Sequence, residues 1–186
     1  MAEHRSRPSA DELAAAAGST VPDVIGPGLA VLFCGINPGL WSGAIGDHFA
    51  HPGNRFWKAI AAAGFTDEVL RPEEETRLLE SGVGITNLVA VTTRTAKELT
   101  RQQLQAGALA LETNVKRYGP AAIVFLGIAA YREGFGRPKA QIGLQMEGIG
   151  ASLVFVLPNP SGRQAHYPFS RLVAELRTVR EMIATG

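Results

Sequence analysis

The chain has 186 residues, of which 46% are hydrophobic and 19% are charged, and its formal net charge is +1. This length and apolar content suit one domain with a full core and exclude a wholly disordered chain. The single cysteine, Cys34, excludes an intramolecular disulfide framework and any iron–sulfur cluster or zinc finger held by several thiolates. The near-zero net charge gives no global signal for a nucleic-acid partner, although a local basic patch is compatible with it.

The N-terminal region predicts a flexible tail over residues 1–22. Its apolar stretch, Leu13–Ala17, is too short for the core of a signal peptide. No window of 18 or more apolar residues occurs in the sequence, so no membrane span is predicted. We therefore expect a cytoplasmic protein with no membrane partner and a single domain over residues 23–186.

Past this tail, short apolar runs predict buried strands and longer periodic segments predict helices. In chain order these are strand Leu29–Cys34, helix Asn54–Ala63, helix Pro72–Leu79, strand Val83–Val89, helix Thr100–Tyr118, strand Ala121–Leu126, a short helix from Gly127 to about Glu133, a candidate edge strand Gly143–Glu147, strand Ser152–Leu157 and helix Pro168–Ile183. Apolar strands that alternate with helices indicate a three-layer α/β domain with a mostly parallel sheet. A ligand is then expected beyond the carboxyl ends of the strands.

Polar and glycine-rich segments follow the predicted strands. The turn Gly35–Gly39 presents Asn37, and two glycines with a proline fix its course. Phe49 lies in a loop before a helix, where an aromatic ring can stack on a base or fill the core. Asn87 ends the second strand in an apolar context and must find partners in the backbone or in a ligand. Each of these residues also fits a purely structural role.

The segment after the last strand is a polar loop with Arg163 at its tip. From Asn159 to the end, four arginines stand against two glutamates, and this bias suits contact with a phosphate backbone. A solvated loop is the alternative. No GxxxxGK[ST] or GxSxG pattern occurs, so neither a P-loop nor a nucleophile elbow is predicted.

Four motifs resemble those of the mismatch-specific uracil/thymine-DNA glycosylases, within the uracil-DNA glycosylase superfamily. They are GINPG (Gly35–Gly39), HPGNRFW (His51–Trp57), GITNLV (Gly84–Val89) and LPNPSG (Leu157–Gly162). The resemblance covers roughly Val24 to Met182. It implies a three-layer α/β/α sandwich with a central, mostly parallel four-stranded sheet. The implied activity is hydrolysis of the N-glycosidic bond of uracil, and in some members of thymine or ethenocytosine, opposite guanine in double-stranded DNA.

The resemblance also implies roles for individual residues. Asn37 resembles the catalytic asparagine of the family. The residues expected to contact the flipped base or its sugar are Ile36, Phe49, Asn87 and Asn159. Those expected to contact DNA are Ser42, Ser161, Gly162 and Arg163, with Arg163 as the wedge that enters the duplex. Asp47 and His48 lie close in sequence to the water-binding side and are candidates for an assisting role.

Three positions depart from the bacterial pattern of the family. Arg163 stands where bacterial members often have leucine, Asn87 where some carry lysine, and Ala90 where an acidic residue is common. These departures bear on the range of substrates. Because an asparagine amide does not act as a general base at pH 7, Asn37 is expected to orient a water molecule, in a slow enzyme that leaves an intact abasic site.

We expect this enzyme to be monomeric and to need no metal or cofactor. One alternative is a broader glycosylase that also takes uracil from single strands, or other deaminated bases such as hypoxanthine. A second alternative is a non-catalytic mismatch-binding module, and a third is a domain that binds small nucleotides. Salt dependence of binding to duplex DNA distinguishes the last of these from the others.

Overall fold

A five-stranded sheet forms the centre of the computed structural model, which describes residues 7–162 and 167–185. Its strand order is β2-β1-β3-β5-β4. The strands are β1 (Val31–Gly35), β2 (Val83–Asn87), β3 (Ala122–Leu126), β4 (Gly143–Leu144) and β5 (Leu153–Leu157). β1, β2, β3 and β5 are parallel, and β4 pairs antiparallel with β5. The predicted α/β fold is confirmed, and the two-residue edge strand β4 makes the sheet one strand wider than the four expected.

Helices flank this sheet on both faces. They are α1 (Ala10–Ala15), α2 (Leu40–Ile45), α3 (Phe56–Ala63), α4 (Arg101–Tyr118), α5 (Ile128–Gly134) and α6 (Phe169–Thr185). The predicted helix Pro72–Leu79 is a 3-10 helix over Pro72–Ser81, and Ala96–Glu98 forms a second 3-10 helix. α4 begins after Thr100, whose hydroxyl accepts a hydrogen bond from the Gln103 N–H, and it ends at Gly119 with φ 56°.

The alternating side chains of the strands supply a core on each face of the sheet. On one face, Val31 and Phe33 of β1 pack with α3 and α6. On the other, Leu32 and Cys34 pack with α4 and α5. Burial raises the pKa of the Cys34 thiol well above its usual value, and the nearby Asp23 carboxylate adds to this effect. The thiol is therefore a core group.

The N-terminal region contains a short helix and two buried residues. α1 lies within the predicted tail over residues 1–22, and a capping box joins Ser9 and Glu12 at its start. Ala16 is 6% exposed and Val21 is 4% exposed, so both are buried against the domain. From residue 7 onward, this region packs as part of the fold.

Candidate functional site

The loop after β1 lies at the point where three parallel strands end. The Gly35 and Ile36 carbonyls accept hydrogen bonds from the Leu88 and Val89 N–H groups at 2.9 and 3.0 Å. The Ile36 side chain packs against Gly127, at the end of β3. Gly35 and Asn87 are register partners in β1 and β2. The ends of β1, β2 and β3 thus form one continuous rim.

Asn37 is held on this rim through its amide nitrogen. Asn37 Nδ2 donates to the Val91 carbonyl at 2.9 Å, to the Pro38 carbonyl at 3.2 Å and to Thr93 Oγ1 at 2.7 Å. Because carbonyl oxygens only accept hydrogen bonds, the NH2 group must face them and Oδ1 must face away. Among the described residues, Oδ1 has no hydrogen-bond partner and is available to accept from a ligand or water. Sequence reasoning missed Thr93, since its contact with Asn37 spans 56 residues.

Gly35 brings Asn87 and Phe49 together. A β-carbon at Gly35 would lie 2.5 Å from Asn87 Oδ1 and 3.2 Å from Phe49 Cζ. Any larger residue at this position would therefore displace the Asn87 amide, the Phe49 ring or both. Three residues singled out from the sequence, Asn37, Phe49 and Asn87, are grouped around the end of β1.

Phe49 is fixed from one side. Its ring stacks on Phe56 with centroids 4.1 Å apart and an interplanar angle of 25°. Its φ is 52°, and it is the only non-glycine residue with positive φ in the described part of the chain. A non-glycine residue in this region costs about 1–3 kcal/mol, and such strain concentrates at functional sites. The ring is half-buried, which suits a platform for a planar ligand.

The residues beside Phe49 have internal partners. His48 is 2% exposed, and its backbone N–H and ring Nδ1 lie 2.7 and 3.0 Å from Oε2 of the buried Glu75. His48 Nε2 is buried without a partner among the described residues. The neighbouring Asp47 is 9% exposed.

Ser42, predicted to contact DNA, is 7% exposed, and its hydroxyl accepts from the Ala50 N–H at 3.1 Å. The Ser42 hydroxyl therefore helps to hold the backbone of the loop directly after Phe49.

The loop after β5 lies against the segment before α3. Asn159 Oδ1 accepts from the Ser161 N–H at 2.8 Å and closes a tight turn, while its amide nitrogen has no partner among the described residues. A β-carbon at Gly162 would lie 2.5 Å from the Gly53 carbonyl oxygen, so the two backbones are in close contact. Arg163, predicted as the wedge, lies outside the described residues.

Arg55 ties both ends of this loop to α3, and the sequence interpretation assigned it no role. Its guanidinium donates to the Pro160 carbonyl at 3.3 Å and to the Tyr167 carbonyl at 2.7 Å. The Tyr167 hydroxyl donates to Glu175 of α6 at 3.1 Å. Burial, and then the Glu175 carboxylate, raise the pKa of Tyr167, so the phenol remains a neutral donor. The loop that carries Arg163 is thus anchored at residues 160 and 167.

The arginines of α6 do not all form a basic face. Arg177 donates to the Ala62 carbonyl at 2.9 Å, and the Arg180 guanidinium packs against Gly64, at the end of α3. Cations here complement the negative end of the α3 dipole. Two of the arginines that give this region its basic bias, Arg177 and Arg180, are thus exposed but also contact the end of α3.

No three His, Cys, Asp or Glu side chains within residues 7–162 and 167–185 are grouped as metal ligands would be. Over the same ranges, each helix is too short or too polar to span a lipid bilayer.

Comparison with known proteins identifies the family of this chain. The sequence profile described as the uracil DNA glycosylase superfamily matches residues 22–179. The chain belongs to the uracil DNA glycosylase superfamily. Its match begins just before β1 and includes Asn37, Phe49, Asn87 and Asn159.

A solved structure shares the fold of this superfamily member. It is a solution NMR structure from Methanosarcina acetivorans, described as a candidate uracil DNA glycosylase. Its TM-score to this chain is 0.60 at 19% sequence identity, and the alignment covers 88% of this chain and 98% of the other. At this identity the likeness concerns the fold. Membership of the superfamily supports a DNA glycosylase that acts on uracil, with DNA as its partner.

Proposed function

We propose that this protein is a monofunctional DNA glycosylase that removes uracil mispaired with guanine from double-stranded DNA, as a cytoplasmic monomer in base excision repair. The observation that carries the proposal is the fixed orientation of Asn37. The two hydrogens of its amide nitrogen are shared among three acceptors, so Oδ1 is presented in one direction without a competing partner among the described residues. A preoriented acceptor is what positioning a nucleophilic water requires.

The reaction starts with the target nucleotide outside the duplex, because the glycosidic bond is not accessible inside it. We assign Phe49 to stack on the flipped pyrimidine and Asn87 to hydrogen-bond its edge. The close approach of both side chains to Gly35 supports this assignment, since it leaves them side by side at one strand end. The Ile36 backbone completes the pocket for the base.

The chemical step breaks the bond between C1′ and the base nitrogen. The bonding electron pair leaves with the base, and C1′ gains oxocarbenium character. Asn37 Oδ1 accepts a hydrogen bond from a water whose oxygen then forms the new bond to C1′, and the proton that the water loses passes to solvent or to the departing base. The amide nitrogen of Asn159, which has no partner within the described part of the chain, is suited to donate to the departing base. Asp47 and His48 are assigned supporting roles around the Phe49 loop.

Preference for a mispair follows from the energy of flipping. Extruding a base costs a few kcal/mol and costs least at a mismatch. We assign Arg163 to fill the vacated stack and to donate to the unpaired guanine, because a guanidinium is planar and rich in donors. Ser161 and Gly162 carry this residue, and the Arg55 contacts at Pro160 and Tyr167 support a loop with fixed ends.

A panel of four oligonucleotides tests the proposal. Uracil is placed opposite guanine, opposite adenine and in a single strand, and thymine is placed opposite guanine. Alkaline cleavage after incubation reveals abasic sites. We expect the fastest excision from the G·U duplex and no strand cleavage before alkali. Equal rates on G·U, A·U and single-stranded uracil would instead support the broader glycosylase, and excision from none would support a mismatch-binding module.

A further inference from the structure

We infer that the N-terminal segment, residues 7–21, positions Asn37 for the reaction by holding residues 91–93 in place. This inference rests on the proposed function, because it assigns Asn37 the water-orienting role. The segment touches neither Asn37 nor the assigned base pocket in any described contact. Its effect is therefore expected on the rate of the chemical step and not on DNA affinity.

The first observation is a backbone pairing between the N-terminal segment and residues 91–93. The Gly18 N–H donates to the Thr92 carbonyl at 2.9 Å, and the Thr92 N–H donates to the Ser19 carbonyl at 2.8 Å. Thr20 and Val91 form an antiparallel bridge. Thr92 is only 1% exposed, so the N-terminal segment also shields it from water.

The second observation is that the opposite side of residues 91–93 holds Asn37. The Val91 carbonyl and Thr93 Oγ1 accept the two shortest hydrogen bonds of Asn37 Nδ2, at 2.9 and 2.7 Å. The Thr93 N–H donates to the Pro38 carbonyl at 3.1 Å. Residues 91–93 thus lie between the N-terminal segment and the Asn37 turn.

The third observation is tight packing where this segment meets α2. A β-carbon at Gly43 would lie 2.6 Å from Thr92 Cγ2 and 2.8 Å from Ser19 Oγ. The Ser19 hydroxyl also lies 3.2 Å from Thr92 Oγ1. At the other end of the segment, the Arg7 guanidinium lies 5.7 Å from the centroid of the Trp41 ring. The N-terminal segment therefore contacts both α2 and residues 91–93, the two neighbours of the Asn37 turn.

Removal of the segment would leave the Thr92 N–H and carbonyl without these protein partners and would expose its buried side chain. Residues 91–93 would then be paired on one side only, and the two acceptors that orient Asn37 would become mobile. Because catalysis by a positioned group falls steeply when its geometry is lost, we expect the excision rate to drop about ten-fold or more. Affinity for the G·U duplex should change by less than about two-fold, since no assigned DNA contact is removed.

The experiment compares the full chain, a variant that lacks residues 1–6 and a variant that lacks residues 1–21. Single-turnover excision from the G·U duplex at saturating enzyme gives the rate, and titration of the same duplex gives the affinity. We expect the shorter truncation to match the full chain in excision rate and in duplex affinity. The longer truncation should lower the excision rate and leave the affinity unchanged. A rate within about two-fold of the full chain for the longer truncation, or an equal loss in both truncations, overturns the inference. No excision by the full chain refutes the proposed function instead.

Two further variants separate positioning from general loss of structure. In the Thr93→Val background the longer truncation should cost less rate than in the parent, because both changes act on the same contact. If the truncation lowers the excision rate by the same factor in both backgrounds, the inference is contradicted.

Gly43→Ala in the full chain tests the same contact without truncation, since its β-carbon displaces Thr92 or Ser19. We expect a several-fold loss of rate with duplex affinity retained, and the parent rate in this variant contradicts the inference.

Discussion

At the scale of single residues, the proposed chemistry depends on how the Asn37 amide is oriented. The carbonyls of Pro38 and Val91 select the NH2 end of Asn37, and Thr93 adds a third acceptor. Thr93 can accept because its own hydroxyl donates onward to the Thr95 carbonyl at 2.9 Å. This chain of hydrogen bonds fixes which atom of Asn37 is left to accept, and in the proposed mechanism that atom, Oδ1, accepts from the water.

Thr93→Val should slow excision while leaving the fold intact. The change keeps the shape of the side chain and removes the acceptor at 2.7 Å from Asn37 Nδ2. One such hydrogen bond contributes about 0.5–1.5 kcal/mol, which corresponds to a rate loss of up to about ten-fold. Single-turnover excision measures this loss, and thermal unfolding checks the fold. Thr113→Val, on the exposed side of α4, is the matched control and should retain the parent rate. Parent-level excision by Thr93→Val would show that this contact does not orient Asn37.

The sequence predicts some of these residues and not others. Asn37 is predictable because Pro38 and two glycines mark a turn directly after an apolar strand. Thr93 is not, because its role exists only when residues 37 and 93 meet in space. Ser42 stays a predicted DNA contact, and its side chain, at 7% exposed, lies mostly inside the domain.

At the scale of elements, close backbone contacts set the spacing of the layers. Gly107 in α4 lies so near Leu88 that a β-carbon would stand 2.0 Å from the Leu88 carbonyl oxygen. This contact holds α4 against the segment that runs from Asn87 to Thr93. A glycine inside a helix is otherwise unfavourable, so its presence here reflects packing.

Gly107→Ala should destabilise the protein. Helix propensity alone favours alanine by about 1 kcal/mol, whereas overpacking against a backbone carbonyl costs about 1–3 kcal/mol or more. Because a carbonyl at 2.0 Å has to move with its chain, we expect the packing cost to win. Urea unfolding measures the change in the free energy of unfolding. Leu109→Ala, on the same helix at a side chain that is 70% exposed, should change it by less than about 0.5 kcal/mol. A gain in stability for Gly107→Ala would mean that α4 packs less closely than described.

The short elements were the hardest to predict. α1 carries a recognisable signal, the Ser9 to Glu12 capping box, but its alanine-rich sequence lacks the apolar stripe that indicates packing. α2 has six residues and includes a glycine, so periodicity does not reveal it. The longer α4 and α6 were predicted because each repeats its apolar face over several turns.

At the scale of the whole molecule, charge is used locally. The net charge of +1 gives no field that would attract DNA, and Arg177 and Arg180 are held at the end of α3. The parallel strands place Asn37, Phe49 and Asn87, which come from three separate segments, together at the rim formed by the strand ends. The mostly parallel α/β architecture was predictable from apolar runs, whereas the strand order and the contacts of Arg177 and Arg180 with α3 depend on tertiary structure.

The most direct test of the proposed role of Asn37 is single-turnover excision of uracil from a G·U duplex by the parent chain and by Asn37→Ala. We expect abasic sites with the parent and a loss of at least about 100-fold in Asn37→Ala, the lower range for a positioned catalytic group. Binding to the duplex should persist in the variant, because Asn37 acts on the water. Excision by Asn37→Ala at the parent rate would contradict the proposed role of Asn37.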